Sequence, residues 1–230
     1  MKVNMKKLIT IVLLLFSASV VASGVPNELG IDGFVNLPIK SLKAIEKNGV
    51  IYYVSERGRY IIQGQMIDVW HKKPLDTLKE IKYSANHIKL DVMGMPIDQL
   101  NTITIPGGPK KVVAFVDPKC KNCKKFIEEA ELKSSRYTFK IIVVPALGED
   151  SNRLAKKLFC AKDKTKALYL LKEQRLDELV AKENCDTKLY DKTLFLAEML
   201  KIRAVPYFFS PTGRTVAGMK DDFWDWLEYE

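Results

Sequence analysis

The chain has 230 residues, enough for one large domain or two small ones. A hydrophobic share of 47% and a charged share of 28% fit a folded protein and exclude intrinsic disorder. The formal net charge of +9 is spread along the chain with no arginine-rich or aromatic-interleaved cluster, so nothing points to nucleic-acid binding.

Lys2, Lys6 and Lys7 precede an apolar run from Leu8 to Phe16 and a stretch of small residues from Ser17 to Ser23. This is the layout of a secretory signal peptide over residues 1–23, cut after Ala22 or Ser23. A membrane anchor is the competing reading. The apolar run falls short of the roughly 20 residues that a span needs, and no positive stop-transfer flank follows it. Export to an oxidising compartment makes the four cysteines, Cys120, Cys123, Cys160 and Cys185, candidates for disulfides.

Residues 24–73 read as a small antiparallel β module. Ile39 to Lys47 suggests a short amphipathic helix ended by Asn48-Gly49. Val50 to Val54 is a strand, Glu56 to Arg59 a turn, and Tyr60 to Trp70 a strand pair or one long strand bulged at Gly64. Fewer than fifty residues bury little core alone, so such a module packs on another body or dimerises. Residues 74–109 read as a linker. A helix runs from Pro74 to about Leu90, with Leu75, Leu78, Ile81, Ala85 and Ile88 on one face, and the loop Pro106-Gly107-Gly108-Pro109 closes the segment.

Residues 110–230 carry a different pattern. Val112 to Val116 is a continuous apolar run, as in a strand buried on both faces. A helix begins at Cys120-Lys121-Asn122-Cys123, and Ile141 to Val144 is a second buried strand. Helical patterns cover Ser151 to Lys162, Thr165 to Lys182 and Lys188 to Lys201. Val205 to Phe209 is a strand entered through Pro206, Pro211 to Arg214 a turn, Thr215 to Ala217 its hairpin partner, and Asp221 to Tyr229 a closing helix. This element order is that of an α/β thioredoxin-like fold with a helical insertion.

Thiol–disulfide exchange requires a thiolate and a second thiol near enough to resolve the mixed disulfide. Two cysteines three apart at a helix start supply both. Cys120 sits where unpaired backbone N–H groups and the helix dipole favour negative charge, and Lys119, Lys121, Lys124 and Lys125 add cations; each effect lowers a thiol pKa below about 8.5. Cys123 shares a face with Phe126, Ile127 and Ala130 and points inward, so Cys120 is the nucleophile and Cys123 the resolving thiol. A zinc site needs a second close pair, whereas Cys160 and Cys185 are far apart and His71 and His87 lie in the other part. An inert disulfide is not excluded by spacing; the buried strand before the motif favours redox chemistry.

At these residues the chain resembles the periplasmic disulfide isomerase family of DsbC and DsbG. The matching stretches are Phe115 to Cys123, Val205-Pro206, the turn from Ser210 to Arg214 before Gly218, and, in the first part, Tyr52 to Ser55 followed by Tyr60 to Gly64. The resemblance implies a homodimer built through the amino-terminal modules, with a linker helix leading to each thioredoxin-like domain. It implies misfolded or partly folded secreted proteins as clients, a chaperone capacity, no cofactor, and a DsbD-like membrane-bound electron donor that keeps the CxxC centre reduced. Pro206 matches the family's cis-proline loop, which lies against the reactive pair and binds client backbone; a trans proline at a strand start is the plainer reading of the residues alone. Cys160 and Cys185 match the family's structural disulfide, and closing that loop contributes about 3 kcal/mol in the chain-entropy model. Two departures bear on redox tuning and client choice. Val205 stands where the family usually has Thr, and valine there is instead similar to the oxidase DsbA; the dipeptide Lys121-Asn122 is atypical. A DsbA-like dithiol oxidase and a non-enzymatic chaperone are therefore the alternative functions.

Overall fold

The computed structural model describes residues 31–39 and 41–229. The signal peptide expected over residues 1–23 lies outside the described residues. The chain divides into two compact units, with the boundary between His87 and Ile88.

The first unit is built on a four-stranded antiparallel sheet of β1 (Gly33–Asn36), β2 (Leu42–Lys47), β3 (Val50–Ser55) and β4 (Ile61–Gln63), in that order. The helix expected over Ile39 to Lys47 is instead strand β2. Asn48 and Gly49 adopt φ of 52° and 70°, the left-handed pair that a two-residue hairpin turn requires, and Lys47 faces Val50 across it. Asn48-Gly49 thus turns a hairpin rather than ending a helix. The segment from Tyr60 to Trp70 breaks at Gly64. β4 closes the first sheet, while β5 (Met66–Asp68) pairs with β6 (Lys73–Leu75) in a separate ribbon.

Pro74 lies within β6, so the helix expected from there starts later, as α1 (Leu78–Asn86). Thr77 caps it: the Thr77 hydroxyl accepts the Glu80 N–H, and the Glu80 carboxylate accepts the Thr77 N–H. This reciprocal pair satisfies two orphan donors and fixes the start more strongly than a proline does. Ile81 is fully buried against Val35, Ala44, Tyr53 and Leu75, which form this unit's core.

The second unit centres on a five-stranded sheet. Its strands are β7 (Thr102–Ile105), β8 (Lys110–Val116), β9 (Tyr137–Val143), β10 (Tyr207–Phe209) and β11 (Thr215–Ala217), in spatial order β11-β10-β8-β9-β7. β8 and β9 are parallel and the other pairs antiparallel. β7 lies in the stretch read from sequence as linker and loop. The loop from β7 to β8 passes so close to the backbone of Ser134 and Arg136 that no Cβ fits at Gly107 or Gly108, which explains the glycine pair.

Among the described residues five α-helices complete this unit: α2 (Lys121–Leu132), α3 (Glu149–Phe159), α4 (Lys164–Lys172), α5 (Lys188–Met199) and α6 (Phe223–Glu228). The helix expected through Lys182 ends at Lys172, where Gln174 turns left-handed at φ 58° and a 3-10 turn (Leu176–Glu178) follows. α2 lies on the face of β8 and β9 presented by Val112, Ala114, Phe139 and Ile141. Phe126 fills its centre, edge-on to Phe208 at 4.7 Å and to Phe139 at 5.7 Å. Those contacts anchor the helix whose first residues carry the CxxC motif.

Candidate active site

β8 runs into Asp117-Pro118, and α2 begins at Lys121 with Cys120 as its N-cap. Cys120 Sγ accepts the Cys123 N–H at 3.1 Å, so the sulfur occupies the position a capping oxygen usually fills. Any negative charge on that sulfur meets an unpaired N–H and the positive end of a twelve-residue helix. Cys120 and Cys123 are joined as a disulfide, with Cα atoms 5.1 Å apart. Cys123 faces the core at 1% exposure beside Phe126, Ile127 and Ala130, whereas Cys120 keeps 8%. Of the two cysteines, the one at the N-cap keeps the greater exposure.

The Val205–Pro206 bond is cis, and the Val205 carbonyl oxygen lies 3.7 Å from Cys120 Sγ. Pro206 is buried at the entry to β10, while Val205 is half-buried. The structure therefore brings Cys120, Cys123, Val205 and Pro206 together. Lys121 and Asn122 are exposed on the first turn of α2.

The lysines around the motif differ from expectation. Lys119 Nζ is 2.6 Å from Asp150, Lys124 reaches Glu128 at 3.6 Å and Glu173 at 3.9 Å, and Lys125 reaches Glu129 at 3.9 Å. Among the described residues Lys121 alone of the four has no carboxylate within ion-pair reach, so the charges of the other three are partly offset. The bond from Lys119 in turn holds the Asp150 carboxyl below the usual carboxylate range.

Cys160 and Cys185 form the second disulfide, with Cα atoms 5.7 Å apart. Cys160 caps the C-terminus of α3, and the Lys182 N–H donates to its carbonyl at 2.9 Å. This is the opposite helix end from that of Cys120. Carbonyl groups and the negative dipole end oppose a thiolate there, so the two pairs stand in opposite electrostatic settings.

Sequence reasoning missed Asp117. It is 1% exposed and accepts three hydrogen bonds: from the Lys119 N–H at 2.7 Å, the Ser151 hydroxyl at 2.9 Å and the Leu147 N–H at 2.8 Å. An aspartate directly before a proline at a strand end was visible, but its partners lie 30 and 34 residues away. Nearby, Tyr190 gives its hydroxyl to Asn152 at 2.6 Å, and burial pushes its pKa up to about 12, which keeps it neutral.

Comparison with known proteins agrees with this architecture. Residues 21–80 match the model of the disulfide bond isomerase protein N-terminal domain, and residues 98–230, more than half of the chain, match that of the thioredoxin-like domain. The thiol:disulfide interchange protein DsbC of Escherichia coli K12 is 26% identical over 79% of this chain and 73% of its own. That of Haemophilus influenzae is 24% identical over 93% of both. Among solved structures, a disulfide interchange protein from Neisseria gonorrhoeae is 25% identical with a TM-score of 0.49, over 58% of this chain and 96% of its own. Helicobacter pylori DsbG is 19% identical with a TM-score of 0.42, over 78% and 92%. The chain belongs to the thioredoxin-like proteins, as a DsbC/DsbG-like member of the thiol:disulfide interchange enzymes.

Proposed function

We propose that this protein catalyses thiol–disulfide exchange on exported proteins, chiefly by isomerising or reducing non-native disulfides. The observation that carries the reading is the placement of Cys120 Sγ. It caps a helix N-terminus, accepts the Cys123 N–H, and lies beside the carbonyl of the cis Val205–Pro206 peptide.

In the reduced enzyme the Cys120 thiolate attacks one sulfur of a client disulfide. A Cys120–client disulfide forms, and the other client sulfur leaves as a thiolate. In isomerisation a second client thiolate attacks the client sulfur of this mixed disulfide and returns Cys120 reduced, with no net change in oxidation state. In reduction Cys123, as thiolate, attacks Cys120 Sγ; the client gains two electrons and two protons, and the enzyme is left as its disulfide. A membrane-bound dithiol donor must then restore it. The Val205–Pro206 segment that leads into β10 offers backbone groups to an extended client. Cys160–Cys185 serves as a structural staple.

The proposed organisation assigns the unit that ends at His87, α1 included, to dimerisation and the unit from Ile88, β7 included, to catalysis, after a signal peptide over 1–23 that delivers the chain to the periplasm. Support for a homodimer comes from the matched amino-terminal family model and from exposed apolar side chains on the first unit, among them Tyr60, Ile62, Ile67 and Val69.

Refolding of scrambled ribonuclease tests the reading. The reduced protein should accelerate recovery of activity beyond glutathione alone, and no gain would overturn it. Val205 favours the oxidase alternative by its side chain. The redox state of Cys120 and Cys123 in periplasmic extracts separates the two: mostly reduced for an isomerase, mostly oxidised for an oxidase.

A further inference from the structure

We propose that Asp117 is the positioning residue of the redox centre, a buried carboxylate that clamps the Cys120 loop to two other elements at once. The inference rests on the exchange reading above and goes beyond it, because Asp117 touches neither sulfur in the described contacts.

Three donors converge on the two carboxylate oxygens. Oδ1 accepts the Lys119 N–H and the Ser151 hydroxyl; Oδ2 accepts the Leu147 N–H. Lys119 immediately precedes Cys120, Leu147 lies in the loop after β9, and Ser151 is a fully buried residue in the first turn of α3. The Asp117 carbonyl also accepts the Cys120 N–H at 3.2 Å. The two peptide groups that lead into the nucleophile are thus both held by one residue. A second tie joins the same segments, from Lys119 Nζ to Asp150, but both groups are about half exposed and such a pair contributes little.

The clamp fixes where Cys120 Sγ lies relative to the Cys123 N–H and the Val205 carbonyl. Both contacts depend on ångström-scale placement. A hydrogen bond to the sulfur weakens steeply once its angle degrades, and with it weakens the stabilisation of the thiolate. All three partners of Asp117 are donors, so both of its oxygens must accept. Asparagine has nearly the same shape but turns an N–H₂ toward at least one donor, leaving a buried group unsatisfied. Ser151→Ala is milder, since it removes one donor and leaves the Lys119 and Leu147 N–H groups bonded.

The test uses the full-length reduced protein. The pH dependence of Cys120 alkylation by iodoacetamide gives the thiol midpoint, the rate with oxidised glutathione gives exchange, and thermal melting reports folding. In the wild type the midpoint should lie below the free-thiol value of about 8.5. In Asp117→Asn it should rise toward that value, with alkylation at pH 7 slowed about tenfold at temperatures where the variant is folded. Ser151→Ala should move it in the same direction by less. An unchanged midpoint in folded Asp117→Asn overturns the inference. So does a fall, which is what loss of a nearby negative charge alone would produce. Should Asp117→Asn not fold, Ser151→Ala decides, and an unshifted midpoint there overturns the inference. A wild type with an ordinary midpoint and ordinary exchange rate would instead remove the exchange reading itself.

Discussion

Asp68 in the first unit and Asp117 in the second are constructed alike. Each leaves the end of a strand, accepts a peptide N–H two residues on, and takes the hydroxyl of a serine on a helix. Asp68 accepts the Trp70 and His71 N–H groups at 3.0 Å, contacts His71 Nδ1 at 2.5 Å and receives the Ser84 hydroxyl, so it ties the β5–β6 turn to α1. Asp117 ties the end of β8 to α3 and to the loop after β9. The difference lies in what the chain does next. After Asp68 it turns into another strand, and the clamp serves folding. After Asp117 it places a cysteine on a helix N-terminus, and the clamp serves reactivity. One local device acquires a functional meaning from the residue three positions downstream.

Substitutions at the redox loop of the second unit should therefore act on rate, and those at the Asp68 clamp of the first unit on stability. The largest effect belongs to Cys120→Ala, which removes the nucleophile. Exchange with oxidised glutathione should fall to the uncatalysed level, a loss on the order of a thousandfold or more, with melting little changed. Stopped-flow assays of purified protein would show it. Within the same unit, Cys160→Ser with Cys185→Ser should do the reverse. Chain-entropy arguments predict a loss of about 3 kcal/mol, visible in urea unfolding, while exchange below the melting range persists. Equal loss of exchange in the double variant would mean that the second pair takes part in redox chemistry.

Asp68 gives the matching test in the first unit. Burial by itself would raise its pKa, but hydrogen bonds from Ser84 and His71 outweigh burial and hold the carboxyl at about 2, below its ordinary 3.8. A depressed carboxyl stabilises the fold fully above about pH 4. That contribution drains away as pH falls through 2 and amounts to about 2 kcal/mol. Hydrogen exchange of β5 and α1 amides across this range should show the loss. Asp68→Asn should remove most of the stabilisation at neutral pH and flatten the acid response, with exchange on small disulfides unaffected.

The Cys120–Cys123 pair at a helix start was legible because its placement is carried by a short spacing beside an apolar strand, and both survive local misreading. Strand β2 was not legible. Ile39 to Lys47 has a helical pattern of apolar residues, and only pairing with β1 and β3 on both sides makes it a strand. The Asn48-Gly49 hairpin signal was present and was outweighed by that pattern. The contacts of Asp117 and two of the lysine partners were illegible for a different reason: Leu147, Asp150, Ser151 and Glu173 reach the redox loop only once the chain has folded back, tens of residues later, whereas Glu128 and Glu129 lie one helical turn from Lys124 and Lys125.

That folding-back sharpens the comparison at its smallest scale. With Lys119, Lys124 and Lys125 paired to carboxylates, Lys121 is, of these four lysines and among the described residues, the one whose charge is not offset by an ion pair, on the exposed first turn. Water screens such a charge, so its influence is worth a fraction of a kcal/mol to about one. Lys121→Glu replaces attraction by repulsion next to the nucleophile, although a carboxylate in the first turn suits the helix dipole. The alkylation midpoint of Cys120 should rise by about half a unit at low salt, and the shift should shrink as salt is added. Asp117→Asn should shift the midpoint further and with little salt dependence, because its hydrogen bonds are buried. Measuring both variants at two ionic strengths separates tuning by surface charge from positioning by the buried clamp. A shift in Lys121→Glu that salt does not reduce would show that the dipeptide acts through backbone placement as well.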